Sequence, residues 1–408
     1  MKLVALGRAF LERISENKLY IFEFREEKMS TELTLFSSPE LRDIVQDMCD
    51  LLSQSHLSFL IGAGCSKIAG LPLMPDLTND VLTNDKISVE TKLLLDKVRE
   101  SFSGASFSTI EDYMSEIVDL LSIAERRSRR GATLSKVPVG DHEKNADELQ
   151  NSLDEIKQAI TLVIGAKEVD VSTHQKFVRA IHNSLQAGKV GRGVDYFILN
   201  YDTLIEDALG LEQVAYFDGF SGAATGWWEP STFNIKPQIK AARVFKVHGS
   251  IDWCLLEGDT IPRRVRSGIK TESTKKHILI YPAATKYQET QRNPFAQMLH
   301  YMRQSLCPSE GKEMVLAICG YSFGDSHIDL EIENALYQSE GRLTIAAFVS
   351  TDKPEGRLST WLADTVISEQ IRVYTNKGYF HGDKIIEFDY NIPWWRFEIL
   401  ARLLGGER

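Results

Sequence analysis

Apolar residues along the chain form two alternating patterns, short continuous runs and longer helical repeats. The segment ELRDIVQDMCDLLSQS (40–55) places apolar residues at helical spacing, which predicts an amphipathic helix. It is followed by LSFLI (57–61), a continuous apolar run typical of a parallel strand buried on both faces. Runs of the same kind follow at 196–200, 244–249, 277–282, 314–320, 343–350 and 371–375. Strands that alternate with helices predict an α/β fold.

The hydrophobic pattern also divides the chain into segments. Residues 76–189 carry long helical repeats and no convincing strand, which predicts a helical insertion into a core formed by 36–75 and 190–383. Within it, 128–145 contains Gly and Pro and few apolar residues, so we expect an exposed loop. The remaining segments are an N-terminal extension (1–35) and an aromatic C-terminal tail (384–408) that either packs on the core or forms an interface. The expected fold is a doubly wound parallel, Rossmann-like sheet with a helical insertion.

Composition limits the class of protein. With 408 residues, a net charge of −10 and 43% hydrophobic residues, the chain is in the ordinary globular range, which argues against disorder and against a dedicated polyphosphate-binding protein. The five cysteines are scattered without a CxxC pair, so we expect reduced thiols, no zinc ribbon and no metal. Arg8, Glu12 and Arg13 interrupt the first apolar patch, and no run approaches the roughly 18 to 20 apolar residues of a membrane span. We therefore expect a cytoplasmic protein without membrane contact.

The first candidate motif directly follows the strand LSFLI. Gly62, Ala63 and Gly64 are followed by Ser66, and two glycines in such a turn let backbone N–H groups approach a pyrophosphate closely. A helix that began there would add its positive end to the attraction. Alone, the motif is equally consistent with a purely structural turn.

Polar residues follow two further predicted strands. Asn200 and Asp202 end the run YFILN at the edge where parallel sheets bind ligands, although Asp202 could simply cap the next helix. His248 ends the run VFKVHG, where it could act as a neutral base. The alternative for His248 is a hydrogen-bonded structural histidine.

Two later strands end in a similar way. Gly320 and Ser322 open the turn CGYSFGDSH (319–327), which could also be a plain capped turn between strand and helix. Ser350 ends the run LTIAAFVS. Because polar residues and glycines recur at the ends of several strands, we expect one shared site at this edge of the sheet.

In their order along the chain, these motifs resemble the sirtuin family. Its members carry GAGxS followed by GxP, a strand ending in N-[YI]-D, a strand ending in HG, and a later G-x-S turn that holds the cofactor ribose. The matching positions are Gly62 to Ser66 with Gly70 and Pro72, Asn200 to Asp202, His248 with Gly249, and Gly320 to Ser322. The resemblance covers the segments 50–75 and 190–350. It implies that NAD is bound as the substrate, by Gly62, Ala63, Gly64, Ser66, Gly320, Ser322 and Ser350.

The departures from the family pattern are informative. Deacylase members have Asp-Phe-Arg after the proline and hold zinc with two CxxC pairs, and this chain has neither. The peptide-binding small domain therefore looks absent, and no zinc is implied. The segments NYD, HGSIDW and GYSFGDSHI are similar to those of bacterial sirtuin-like proteins of anti-phage defence, which hydrolyse NAD and deplete it during infection. The size of the chain and the lack of a fused effector domain most resemble the partner of a HerA-like hexameric ATPase.

The resemblance implies an NAD+ glycohydrolase that releases ADP-ribose and nicotinamide, with Asn200, Asp202 and His248 as its catalytic residues. It also implies a HerA-like ATPase partner. We expect a homo-oligomer as well, because the helical insertion and the aromatic tail carry apolar faces that the core does not obviously need. Two alternatives stay open. A regulatory subunit could bind NAD or ADP-ribose without turnover, which the intact Asn200 and His248 argue against. A deacylase or ADP-ribosyltransferase is the other alternative, and the missing zinc cysteines argue against it.

Two arginine clusters bear on nucleic acid binding, which the sequence does not decide. They lie at 126–130 and 263–266. On an acidic chain, each is more typical of a solvated loop or a subunit contact than of a nucleic-acid groove.

Overall fold

The computed structural model describes residues 32–54, 56–102, 108–131, 135–182, 193–234, 241–266, 269, 271–272, 275–279 and 294–407. Of the predicted N-terminal extension, only residues 32–35 lie within these ranges. The strands of the described residues are β1 Leu57–Ile61, β2 Val137–Val139, β3 His142–Lys144, β4 Gly193–Ile198, β5 Ala215–Phe217, β6 Phe220–Gly222, β7 Thr225–Trp228, β8 Ala241–Lys246, β9 Gly249–Leu256, β10 Arg263–Val265, β11 Lys275–Leu279, β12 Met314–Cys319, β13 Leu343–Phe348, β14 Ile371–Thr375, β15 Gly378–His381 and β16 Lys384–Glu387. The helices are α1 Pro39–Leu51, α2 Met74–Leu82, α3 Val89–Ser101, α4 Ile110–Arg129, α5 Ala146–Gly165, α6 Ser172–His182, α7 Leu204–Leu211, α8 Phe295–Leu306, α9 Ser326–Ser339, α10 Gly356–Ala363 and α11 Phe397–Leu404.

A nine-stranded sheet with the order β16-β15-β14-β13-β12-β1-β4-β8-β5 forms the centre of the molecule. The strands from β14 to β5 run parallel, and the hairpin β15-β16 extends one edge antiparallel. Every residue of β1 and β12 is buried, because helices cover both faces of the sheet. The predicted α/β, doubly wound, Rossmann-like class is confirmed. Since the chain winds from β1 towards β4 and later returns to β12 on the other side, the direction of winding changes between β1 and β12.

A second sheet, with the order β11-β9-β10-β7-β6, is antiparallel. The expectation that the run 277–282 is a buried parallel strand is wrong for its described residues, because 277–279 belong to β11 and pair antiparallel with β9. A short apolar run does not reveal the direction of its partner strand.

The predicted insertion is mainly helical but not wholly so. Helices α2 to α5 enclose an apolar cluster that includes Leu95 and Met114 and extends to Tyr201, beside the carboxyl edge of the main sheet. Within the segment expected to be an exposed loop, β2 and β3 form a hairpin. That expectation is corrected because Val137 and Val139, which flank the exposed Pro138, are both buried.

Helix α6 lies within the segment predicted to be an insertion (76–189), but it packs against the main sheet. Phe177 of α6 is fully buried, and its ring meets that of Phe59 in β1 at a centroid distance of 4.9 Å. The core of the main sheet therefore includes residues before 190.

The aromatic C-terminal segment is part of the core. Trp394 is fully buried, and its indole N–H donates to the Thr375 carbonyl at 2.6 Å. Helix α11 packs against α6. Of the two interpretations that the sequence left open for this tail, the structure shows packing on the core. In the part of the chain that the structure describes, no helix has the length and apolar content needed to cross a bilayer.

Candidate functional site

Two glycine turns meet where the winding of the sheet changes direction. The Gly62 N–H donates to the Cys319 carbonyl and the Gly64 N–H donates to the Gly320 carbonyl, each at 2.9 Å. A Cβ atom on Gly62 would lie 2.4 Å from the Gly320 carbonyl oxygen, and Gly320 has a φ of 64°. Glycine is therefore required on both sides of this contact. The turn after β1 continues as two short 3-10 segments, Ala63–Cys65 and Lys67–Ala69, so the expected helix with its positive end does not begin there.

Asn200 connects the first glycine turn to Asp202 through Ser66. The Asn200 Nδ2 group donates to the Gly62 carbonyl at 3.0 Å and to Ser66 Oγ at 2.7 Å. Ser66 Oγ in turn donates to Asp202 Oδ2 at 2.6 Å. All three side chains are buried. We call Asn200, Ser66 and Asp202 the polar triad; its hydrogen bonds hold the turn after β1 against the end of β4.

Asp202 has a second set of contacts. Its Oδ1 accepts the backbone N–H of Leu204, the first residue of α7, at 3.1 Å, although the N-cap residue of this helix is Thr203 and not Asp202. Its carbonyl oxygen accepts a hydrogen bond from Lys246 Nζ. Asp202 therefore links the polar triad to both β8 and α7.

Two ionisable residues close to Asp202, Lys246 and Glu206, were not predicted from the sequence. Lys246 is 1% exposed within β8, and its Nζ lies 3.4 Å from Glu206 Oε1. Burial raises the pKa of Glu206 to about 7, and the charge of Lys246 opposes this shift. A lysine inside an otherwise apolar strand was the available sequence signal, because a buried lysine needs a specific partner.

His248 lies between β8 and β9 and is 4% exposed. The chain after it folds back onto the end of β4, where the Ile251 N–H donates to the Tyr201 carbonyl at 2.9 Å. His248 Nε2 lies 3.3 Å from His327 Nε2. In the sheet, β1 and β4 separate β8 from β12, a distance of roughly 14 Å, so the segment from Cys319 to His327 must reach across the carboxyl edge to make this contact.

Asp325 completes this group. The ligand atoms of His248, Asp325 and His327 all lie within 4.8 Å of one another. Asp325 and His327 were part of the turn 319–327 noted in the sequence, but no role was predicted for them. Their partner in the group is distant in sequence, so no local pattern could have shown the contact.

The other predicted residues lie at the same edge. Ala63, Gly64, Ser322 and Ser350 are exposed there, whereas the Ser66 hydroxyl is used inside the polar triad. Burial raises the pKa of Cys65 well above its usual value, and all five cysteines are free thiols.

A cavity of about 1080 Å³ lies beside this edge, between α5, α7 and the second sheet. Its lining includes Glu206, Asp218 and Arg264, and among its described lining residues none belongs to the glycine turns. Arg264 forms a buried ion pair with Asp218, and Arg263 pairs with Asp259 at 2.7 Å. Two arginines of the second cluster are therefore held in ion pairs within the chain.

The fold and its glycine turns define a Rossmann-like protein with a site at the switch point of the sheet. Residues 195–368 match the family model described as SIR2-like domain. The match covers under half of the chain; it includes Asn200, His248 and Gly320 but not the turn after β1. A search of curated proteins found no significant match. The family match supports the sirtuin resemblance, and because SIR2-like domains bind NAD and are often NAD-dependent enzymes, it supports an NAD-related activity.

Proposed function

We propose that this chain is an NAD+ glycohydrolase that converts NAD and water to ADP-ribose and nicotinamide. The observation that carries the proposal is the polar triad, which holds the exposed glycine turn after β1 at the switch point. His248 follows β8, which is separated from β1 in the sheet by β4 alone. In parallel sheets this edge binds nucleotides. Gly62 packs closely on Gly320, while Gly64 in the same turn is exposed at this edge.

In the proposed reaction His248 acts on the attacking water, and the polar triad positions the glycine turn. The bond between C1′ of the ribose and the nicotinamide nitrogen breaks, and its electron pair leaves with nicotinamide. The oxygen of a water molecule then bonds to C1′ of the oxocarbenium-like sugar. His248 accepts the proton that this water loses, a step that general bases accelerate roughly 100 to 10,000-fold. The proton then passes to solvent.

In this proposal Asn200 acts through the glycine turn rather than on the reacting atoms. Its amide group has two hydrogens, and both point to protein acceptors, Gly62 O and Ser66 Oγ. We therefore assign to Asn200 the positioning of the glycine turn that receives the pyrophosphate. Asp202 fixes Ser66 in the orientation that accepts from Asn200.

The biological setting follows from the family resemblance. We propose that the chain depletes NAD in an abortive-infection type of antiviral defence, as a homo-oligomer that works with a HerA-like hexameric ATPase. The insertion is the candidate contact region, because α3 exposes Val89 and Leu93, whereas Trp394 and Phe397 of the C-terminal aromatic segment are buried.

Incubation of the purified chain with NAD, with and without a candidate HerA-like ATPase, tests this proposal. We expect nicotinamide and ADP-ribose in equal amounts, without any peptide substrate. Binding of NAD without release of nicotinamide under both conditions would instead identify a regulatory subunit. Nicotinamide release that depends on an acyl-lysine peptide would identify a deacylase.

A further inference from the structure

The group formed by His248, Asp325 and His327 has a geometry that suggests more than proton transfer. The two imidazole Nε2 atoms lie 3.3 Å apart. Two nitrogens bound to one tetrahedral ion at about 2.0 to 2.1 Å are about 3.3 to 3.4 Å apart. The observed distance between the histidines therefore equals that of two ligands of one ion.

The third member supplies an oxygen ligand. One ligand atom from each residue, a carboxylate oxygen for Asp325 and a ring nitrogen for each histidine, lies within 4.8 Å of the other two, and a change in the Asp325 side-chain rotamer would bring its oxygen to an ion shared with the histidines. Two imidazole nitrogens and one carboxylate oxygen suit first-row transition metals such as Zn²⁺, whereas Mg²⁺ and Ca²⁺ prefer sites made only of oxygens. The donor set thus selects the class of ion.

The protein also holds these ligands in place. The Asp325 N–H donates to the Tyr321 hydroxyl at 3.0 Å, and that hydroxyl donates to Asp329 Oδ1 at 2.9 Å. His327 lies in the first turn of α9, two residues after this anchored residue. His248 is buried and fixed by the turn between β8 and β9. These contacts of Tyr321 fix the backbone from which the Asp325 ligand extends.

We propose that His248, Asp325 and His327 form a site for a divalent transition metal ion, and that an ion bound there inhibits NAD hydrolysis. The second half rests on the proposed function. In the proposed reaction the Nε2 lone pair of His248 accepts the proton from water, and a metal ion bound at Nε2 would use the same lone pair. The ion and the proton therefore compete for one atom. This proposal replaces the expectation that the chain holds no metal.

The test uses Co²⁺ as a spectroscopic probe on the untagged, chelator-treated full chain. Cys307 is an exposed thiol that could bind metal, so all proteins carry Cys307→Ser. We expect one Co²⁺ per chain with the visible absorption of a tetrahedral site, displaced by Zn²⁺ but not by Mg²⁺. His327→Ala should weaken Co²⁺ binding at least about tenfold, and Asp325→Asn should weaken it less. His142→Ala, on the exposed hairpin strand β3, is the matched control and should bind as the parent does.

Equal Co²⁺ affinity in His327→Ala and in the parent would overturn the metal site, provided that thermal unfolding shows both to be folded. For the inhibitory half, nicotinamide release is measured in metal-free protein and during titration with Zn²⁺. We expect inhibition over the concentration range in which Co²⁺ is displaced, and at least about tenfold resistance in His327→Ala. Equal inhibition of both proteins, or acceleration by Zn²⁺, would overturn it. Absence of nicotinamide from the metal-free protein would contradict the glycohydrolase proposal, while the Co²⁺ spectra would still decide the metal site.

Discussion

Asn200 and His248 lie at the ends of neighbouring strands, but their surroundings assign them different work. The register of β4 and β8 pairs Ile198 with Lys246, so the two residues lie at equivalent positions two residues further along. Both hydrogens of the Asn200 amide are used to hold Gly62 and Ser66. His248 instead presents its ring towards His327 and Asp325. In the proposed function, Asn200 therefore shapes the glycine turn and His248 carries out the proton transfer.

This difference predicts different effects of two alanine substitutions on the affinity for ADP-ribose. His248→Ala should lower nicotinamide release about 100 to 10,000-fold and change the Kd for ADP-ribose less than about twofold, because only the base is lost. Asn200→Ala leaves the Gly62 carbonyl without this buried donor, which costs about 1 to 3 kcal/mol. It should therefore raise the Kd at least about fivefold as well as lower turnover. Calorimetric titration with ADP-ribose and quantification of nicotinamide measure the two effects.

Hydrolysis at the parental rate in both variants would reject this assignment of the site and favour a subunit that binds without turnover. Unchanged ADP-ribose affinity in Asn200→Ala would show that the glycine turn keeps its shape without the amide.

Individual site residues could be predicted from the sequence where the neighbouring residues formed a recognisable pattern. Asn200, Asp202 and His248 stand out because polar groups end apolar strands. Lys246 carried a weaker signal within a strand. His327 could not be connected to His248, because 79 residues separate them and only the crossing of the turn after β12 brings them together.

Among the elements, the two glycine turns form one structural unit. The turn after β1 and the turn after β12 share two backbone hydrogen bonds at the switch point. A Cβ atom on Gly64 would lie 2.8 Å from the Cα of Gly320, a backbone atom that cannot move aside alone. A side chain at Gly64 therefore disturbs the packing of β1 on β12, besides covering the surface that would receive a pyrophosphate.

We expect Gly64→Ala to lower the free energy of unfolding by about 1 to 3 kcal/mol, as overpacked sites do, and to weaken ADP-ribose binding. Gly210→Ala is the matched control. Gly210 lies in α7, where an added Cβ meets no atom within 4 Å, so alanine should stabilise the helix by up to about 1 kcal/mol. Denaturant unfolding measures both changes, and equal stability of Gly64→Ala and its parent would contradict this account of the turn.

The two sheets differ in how well the hydrophobic pattern of the sequence predicts their strands. Most of the parallel strands were predictable because they are continuous apolar runs buried on both faces, as in β1 and β12, whereas β5, whose residues are exposed or half-buried, was not predicted. The second sheet was not, because β6, β7 and β10 are only three or four residues long and include glycines and arginines. Their pairing depends on contacts between distant segments, which a single sequence does not display.

For the whole molecule, the structure changes which surface is available for assembly. Trp394 and the apolar face of α11 were candidates for a subunit contact, but they fill the core beside α6. The sequence identified the aromatic segment correctly and could not distinguish a core from an interface, since both bury aromatic side chains. The exposed apolar residues of the insertion remain candidates for a subunit contact. Val89 and Leu93 of α3 are 69% and 51% exposed and lie four residues apart, on one face of the helix.

If the chain assembles through the insertion, these two side chains should contribute to the contact, because burying exposed apolar surface stabilises association. We expect light scattering at micromolar concentration to show a homo-oligomer, and the double variant Val89→Asp, Leu93→Asp to have a lower mass with unchanged thermal unfolding. The double variant Leu330→Asp, Val366→Asp introduces the same two charges at other residues, which are 53% and 69% exposed, and serves as the control. A monomeric parent would reject the homo-oligomer, and a double variant of unchanged mass would place the contact on a different surface.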